Sequence, residues 1–598
     1  MKIYSRSVRI AISLFITVFI CQYMTAQNTN LKDPRFITHY EKNNFNRTPR
    51  YAETVEFCKL LDENSPVVTY TSIGVSPQGR EIPLLIVDKD GLTTPDVIRA
   101  KGRSVVLVEA AIHAGEPDGK DAGLMLIRDI AIYKKFPRLL DNVSLLFIPI
   151  INVDGHEDFG SFYRINQNGP EEVGARFTAQ RLNMNRDFIK ADAPETRAFI
   201  KLYRIWMPEL FMDIHVTNGA DFQYVSTYGM DHCGFLNENL LNWTNSVYEV
   251  QLKSKMADSG FPIFPYFEFN SYTNQNAGVL PDNFPPQYSN GYASANNRIG
   301  ILIENHIYKP YKQRVESSYN AILYTLEIVG ANGRELQKEI ALADEYSSSD
   351  KFRIDSLPLM FSHNLKDSVL VDFLTWQTKT EKSDLTGAEW TYSDRTAPVT
   401  IKMPLFTSYK KDVIIKLPVA YIVPQEQIAT IELLDIHGIK YSKLERDTTF
   451  EVETYRFINP RWSEFPYEGR VTLTTDYTTQ KELVHFNKGD IIVATSQPKV
   501  KIIAHLLEPK SPTSLVYWGF YNLYARPETE FWIRLSYMEV KGREMLAKDP
   551  VLKREFENKK ATDPAFANNP QAILQFFMSK VREKVEPNVN RYPVGRIL

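Results

Sequence analysis

Val108-Glu109-Ala110-Ala111-Ile112-His113-Ala114-Gly115-Glu116-Pro117-Asp118 is the stretch on which the fold reading turns. The apolar run from Val105 to Val108 leads into it and reads as a strand buried on both faces. His113 and Glu116 follow, three positions apart, where the strand hands over to a loop. Both side-chain types suit zinc. In an open α/β sheet, ligands bind at the carboxyl ends of the strands. A histidine three residues from an acid also arises by chance, so the pair needs company elsewhere in the chain.

Working outward, residues 50 to about 330 alternate strand-like and helix-like segments. Leu84 to Val87, Ser104 to Glu109, Val143 to Ile151, Leu210 to His215 and Ile299 to Ile303 read as strands. Asp118 to Ile132 has helical periodicity with an acid near its start. The alternation predicts an α/β domain around a covered, mostly parallel or mixed sheet. From about 335 the texture changes. Val399–Met403, Val413–Leu417, Phe450–Phe457, Val471–Thr475 and Ile491–Thr495 are short strand candidates, several with period-two alternation. Pro418 and Pro424 flank another. From about 510 the chain turns helical, with Asp549-Pro550, Asp563-Pro564 and Asn569-Pro570 each reading as an N-cap followed by proline at the first helical position. The expected organisation is a leader at 1–26, a catalytic domain at 27–335, a β-rich domain at 336–510 and a helical region at 511–598.

The leader reading rests on Lys2, Arg6 and Arg9, then the apolar or small run Ile10 to Ile20, then Thr25-Ala26-Gln27, which resembles a cleavage site. That run is short for a membrane span, and no second one is long enough. Export to a periplasm or the extracellular space is therefore expected, with no membrane span once the leader is removed. Cys21 follows bulky Phe19 and Ile20, against a lipid-anchoring site. Removing the leader takes the net charge from −2 to −5, which gives no reason to expect nucleic acid as a partner. Content of 43% hydrophobic and 24% charged residues is that of an ordinary globular chain. Cys58 and Cys233 are either a disulfide, which export permits, or two buried thiols.

Four further constellations carry chemistry. His215 ends the buried run Phe211-Met212-Asp213-Ile214-His215, where a second strand end can deliver a third metal ligand. Asp213 points to the same face, either to orient a ligand histidine or in a structural role. Asn185 and Arg186, in Leu182-Asn183-Met184-Asn185-Arg186-Asp187, pair a neutral donor with a planar cationic fork that suits a carboxylate. The alternative is a surface turn with a salt bridge, and Arg164 is similarly open. Glu304 ends the apolar strand Gly300 to Ile303, either as a general base beside a metal or as a strand-end acid facing solvent.

The ordered set His113-Ala-Gly-Glu116, Asn152-Val-Asp154-Gly155, Asn183-Met-Asn185-Arg186, Asp213-Ile-His215 and Ile303-Glu304 resembles the zinc carboxypeptidase (funnelin) family over roughly residues 50–330. The resemblance implies an α/β/α sandwich around a mixed, twisted sheet. It implies one zinc ion held by His113, Glu116 and His215, with Glu304 as the catalytic glutamate. It also implies that Asn185 and Arg186 grip a substrate's terminal carboxylate and that Arg164 stabilises the oxyanion. The family's active-site tyrosine has two candidates here, Tyr288 and Tyr292. The region after about 335 has no counterpart that the resemblance covers. The expected activity is hydrolysis of C-terminal peptide bonds in a peptide with a free carboxylate. Two rivals stand beside it: a zinc amidohydrolase on the same fold, acting on acyl-amino acids or cell-wall peptides, and a catalytically dead binding protein. Side-chain preference and oligomeric state are not legible.

Overall fold

The computed structural model describes residues 33–217, 219, 221–271, 274–525, 534–585 and 590–598. The expected leader at 1–26, with Cys21, lies outside them. Its centre is an eight-stranded mixed sheet: β1 (Val68–Val75), β2 (Glu81–Val87), β3 (Ser104–Ala110), β4 (Val143–Ile148), β5 (Leu210–Thr217), β6 (Ser226–Met230), β7 (Ile263–Pro265) and β8 (Ile299–His306). The spatial order is β1-β2-β4-β3-β5-β8-β6-β7. The four central strands β4, β3, β5 and β8 are mutually parallel, and antiparallel strands flank them on both sides. β3, β4 and β5 are buried at every position, as their unbroken apolar runs require.

Two cores form on the two faces of this sheet. One packs Leu85, Val106, Val108, Met212, Ile301 and Ile303 against the helices Tyr51–Glu63, Asp118–Ala131 and Tyr311–Ser347. The other packs Leu84, Leu107, Leu146 and Phe211 against the helix Pro194–Trp206. The result is the expected three-layer α/β/α sandwich. The second core does not stop there. It continues through Tyr421, Leu434, Tyr455, Phe457, Ile503 and Leu506 of the C-terminal half.

That continuity explains where the structure departs from the sequence reading. The change of texture near 335 falls inside a 37-residue helix, Tyr311–Ser347. The short strands Phe267–Phe269 and Val279–Pro281 leave the first region to join the hairpin Val369–Lys382 and Glu389–Leu405 in one four-stranded sheet. A six-stranded sheet contains Ala420–Val423, Thr448–Trp462, Leu473–Phe486 and Ile491–Ala494, and takes Gly595–Ile597 from the chain's far end as an interior strand. That last segment was expected to be helical. A short apolar run cannot by itself distinguish the two, because strand pairing is a non-local choice. Local chemistry is read more directly: the Asp549, Asp563 and Asn569 side chains each accept from backbone N–H groups at the start of the following helix.

Cys58 and Cys233 are unpaired thiols. No helix among the described residues is long and apolar enough to cross a membrane.

Candidate metal centre

Parallel strands set side by side bring residues distant in sequence to one sheet face. Glu304 of β8 is registered directly opposite His215 of β5, and Glu109 of β3 opposite Asp213. Because side chains alternate along a strand, Glu109, Asp213, His215 and Glu304 share one face. His113 and Glu116 reach the same place from the loop after β3. Ala111 has a left-handed backbone, φ 56°, and turns the chain there. Gly115 gives that loop the room it needs, since a Cβ would lie 2.7 Å from Arg164 Cδ. Asn152 braces the loop by donating to the Ile112 carbonyl at 3.3 Å.

His113, Glu116 and His215 converge so that one ligand atom of each lies within 4.8 Å of the others, and all three are buried. Glu116 Oε1 is 3.3 Å from His113 Nδ1, and Oε2 is 3.1 Å from His215 Nδ1. The two Nδ1 atoms are 3.2 Å apart. Both imidazoles therefore turn Nδ1 inward, and their Nε2 atoms are held from behind. His113 Nε2 donates to Asn183 Oδ1 at 3.1 Å, and His215 Nε2 to Asp213 Oδ2 at 2.6 Å. Outer partners of this kind fix ring orientation and tautomer in metal sites. Two imidazoles and one carboxylate, each with an inward lone pair, form a donor set that fits zinc with a position left for water. Of the two roles left open for Asp213, its bond to His215 is the one that can orient a ligand histidine, and Ser289 Oγ donates to the same oxygen at 2.6 Å.

Burial pushes His113 down to about 4, which leaves it neutral and able to bind a cation. Burial disfavours charge on Glu116 too, but His113 and Arg164 outweigh that and hold its carboxyl well below the usual range. Burial opposes charge on His215, yet the Asp213 carboxylate raises it well above the ordinary imidazole value. Glu304 behaves in the opposite way to Glu116. Burial, with the like charge of Glu116 adding to it, pushes it up to about 8. Its Oε2 is buried with no hydrogen-bond partner in the structure.

Arg164 lies at this site. Its Nη1 donates to Glu116 Oε1 at 2.8 Å and its Nη2 to the Val216 carbonyl at 2.7 Å. Arg186 lies at its edge: Nη1 donates to the Asn185 carbonyl at 2.6 Å, and the guanidinium sits 4.2 Å from the centroid of the Tyr288 ring. No ion pair to a carboxylate takes it up among the described residues, so the surface-turn salt bridge weighed for it is not formed. Asn185 Oδ1 accepts from the Ser289 backbone at 3.0 Å. Of the two tyrosine candidates, Tyr292 is a core residue, 1% exposed, with its hydroxyl on His437 Nδ1 at 3.0 Å. Tyr288 remains beside Arg186.

Sequence reasoning missed several contributors, three of them within residues 54–277. Asn183 was read only as part of a motif, yet it is the partner of His113. Arg176 approaches Glu116 Oε1 at 3.7 Å. Tyr266 bonds the Thr217 side chain and lies within electrostatic reach of Glu304 and Glu116. Only the first carried a signal, its place two residues before Asn185.

Residues 54–277 match the family model described as zinc carboxypeptidase. Carboxypeptidase 2 of Trichophyton rubrum is 21% identical over 485 residues, 79% of this chain and 84% of that protein. Carboxypeptidase 2 of Trichophyton equinum is 20% identical over 493 residues, with the same two shares. Among solved structures, carboxypeptidase A from Helicoverpa armigera is similar at 16% identity, covering 52% of this chain and 80% of that chain, with a TM-score of 0.37.

The geometry predicts the consequence of altering Asp213. Asp213→Asn keeps the shape but removes the charge that holds His215, so retention of a divalent cation should weaken by roughly 10–100-fold. Competition against a chelator of known affinity measures this, and unchanged retention would show that Asp213 does not orient a ligand.

Proposed function

We propose, from the match of residues 54–277 to the zinc carboxypeptidase family model, that the chain is an exported enzyme hydrolysing C-terminal peptide bonds. The observation that carries the reading is a single juxtaposition. Three buried ligand groups converge beside Glu304, whose Oε2 is buried without a hydrogen-bond partner, on the neighbouring strand at the register position of His215. A catalytically dead relative would have no chemical need to keep that carboxylate oxygen buried and unpaired.

His113, Glu116 and His215 would hold the zinc ion. Bound there, zinc supplies Lewis acidity and lowers the pKa of water toward about 7. Glu304 acts as general base: its carboxylate, with Oε2 free of hydrogen-bond partners beside the three ligand groups, accepts a proton from attacking water and returns it to the leaving amine. Arg164 presents a guanidinium to the oxyanion that develops on the carbonyl. Asn185 and Arg186 hold the substrate's free carboxylate and so set the register of cleavage. Arg186 suits that task because it is stacked on Tyr288 and not already neutralised by an acid. Export rests on Lys2, Arg6, Arg9 and the apolar run after them.

Purified protein should contain about one zinc per chain, by elemental analysis. Stripping it with a chelator should abolish hydrolysis, and zinc should restore it. Full activity in the stripped protein would end the reading.

Glu304→Gln keeps the side-chain shape and removes the proton acceptor. Turnover should fall by roughly 10²-fold or more with zinc content unchanged. Unaltered turnover would make Glu304 a structural acid.

The carboxylate grip is tested by comparing one peptide as free acid and as amide. Removing one partner of a buried, hydrogen-bonded charge pair costs on the order of 2–5 kcal/mol, or roughly 30-fold to several thousand-fold in efficiency. The amide should suffer that loss. Arg186→Ala should lose most of its efficiency on the acid and far less on the amide, and Arg186→Lys should recover little. Equal cleavage of acid and amide by the unaltered enzyme would move the assignment to an amidohydrolase on the same metal site.

A further inference from the structure

The hairpin Thr448–Trp462 and Leu473–Phe486 belongs to the C-terminal half, outside the matched residues 54–277, and its tip reaches the metal centre. At the tip, Tyr467 and Arg470 exchange reciprocal backbone bonds of 2.8 and 3.0 Å, enclosing Glu468 and Gly469. Both enclosed residues have left-handed backbones, φ 48° and 81°. Two successive positive φ values make the two-residue hairpin turn that normally selects Asn-Gly or Asp-Gly. Glutamate in the first place is locally disfavoured, because its side chain tolerates that backbone less well than aspartate or asparagine does.

The longer side chain reaches a specific target. Glu468 Oε1 accepts from Asn183 Nδ2 at 3.3 Å, across 285 positions of sequence. Asn183 Oδ1 in turn accepts from His113 Nε2 and from the Asn185 backbone, each at 3.1 Å. Reversing the amide would set its NH₂ against the Asn185 N–H and its oxygen against the Glu468 carboxylate. The network therefore admits one orientation, which places the proton on His113 Nε2 and leaves Nδ1 free for a metal. The tip is itself pinned. Arg470 grips Asp192 with two bonds of 2.6 and 2.8 Å and lies over Phe520 at 3.8 Å, and a Cβ on Gly469 would touch Leu182 Cδ2 at 3.1 Å.

We infer that Glu468 is a positioning residue for the metal ligand His113, acting through Asn183, so that the C-terminal half completes the metal centre. The inference rests on the metallopeptidase reading. A charged acceptor on the amide strengthens the next bond in the chain and so increases the electron density that His113 offers to a cation.

The decisive variant is Glu468→Asp. Aspartate suits the turn better, but its side chain is one methylene shorter, about 1.5 Å, and its carboxylate cannot reach Asn183. The melting temperature should hold or rise while zinc affinity, read by chelator competition, falls about 5- to 10-fold. That loss lies below the 10–100-fold expected for removing Asn183, which touches the ligand directly. Glu468→Gln, which keeps reach and an acceptor but loses the charge, should recover only part of the affinity. In an Asn183→Ala background, Glu468→Asp should have no further effect on affinity. Wild-type affinity in Glu468→Asp would overturn the inference, as would an equal loss with and without Asn183. A wild-type chain that holds no zinc would instead sink the metallopeptidase reading.

Discussion

Burying one carboxylate charge is the constraint around which this molecule is arranged. Glu116 is 2% exposed, and an ionised acid out of water is strongly unfavourable unless every lone pair is met. Arg164 and the Val216 backbone donate to its oxygens, and the inward Nδ1 atoms of His113 and His215 lie 3.3 and 3.1 Å from them, where a shared cation would sit. Those partners come from the loop after β3, the segment after residue 160 and the end of β5. Apart from the adjacent His215 and Val216, these partners are at least 50 positions from one another in sequence. Meeting the charge therefore requires the central strands in their observed order, the open loop at Gly115 and the arm of Arg164 across it.

The same physics, applied with fewer partners, produces the opposite state two strands away. Glu304 shares the buried face but lacks an arginine of its own, and like charge from Glu116 adds to its desolvation. Two acids in one pocket are thus driven apart in proton affinity, Glu116 below and Glu304 above the usual carboxyl range. A separation of this kind lets chemically identical side chains take different tasks. The parallel register of β5 and β8 makes it possible, since it sets Glu304 opposite His215 without any local motif joining them.

The C-terminal half is part of the same body. Its apolar residues continue the core on one face of the main sheet, one of its strands returns from the last residues of the chain, and its hairpin tip touches Asn183. Buried His437, on the helix Ile428–His437, spans the junction by contacting both Tyr292 and the Ile189 carbonyl. A surface so shared has no composition change to mark it, which is why the chain reads as separable blocks and folds as a joined one.

The sequence by itself determined the central strands, because a strand buried on both faces must be an unbroken apolar run, and it determined the capped C-terminal helices, because an N-cap and a following proline act within one turn. It also singled out His113, Glu116, His215 and Glu304, since polar residues that end apolar strands stand out against them. Tertiary structure alone decided which of Tyr288 and Tyr292 lies near the site, that Asp213 bonds to His215, and that Asn183, Arg176, Tyr266 and Glu468 approach the same centre. Those residues hold their places through strand register and loop crossings between positions up to 285 apart. Periodicity reports what a residue does to its neighbours along the chain, whereas a hydrogen bond across the fold leaves no trace in either partner's local sequence.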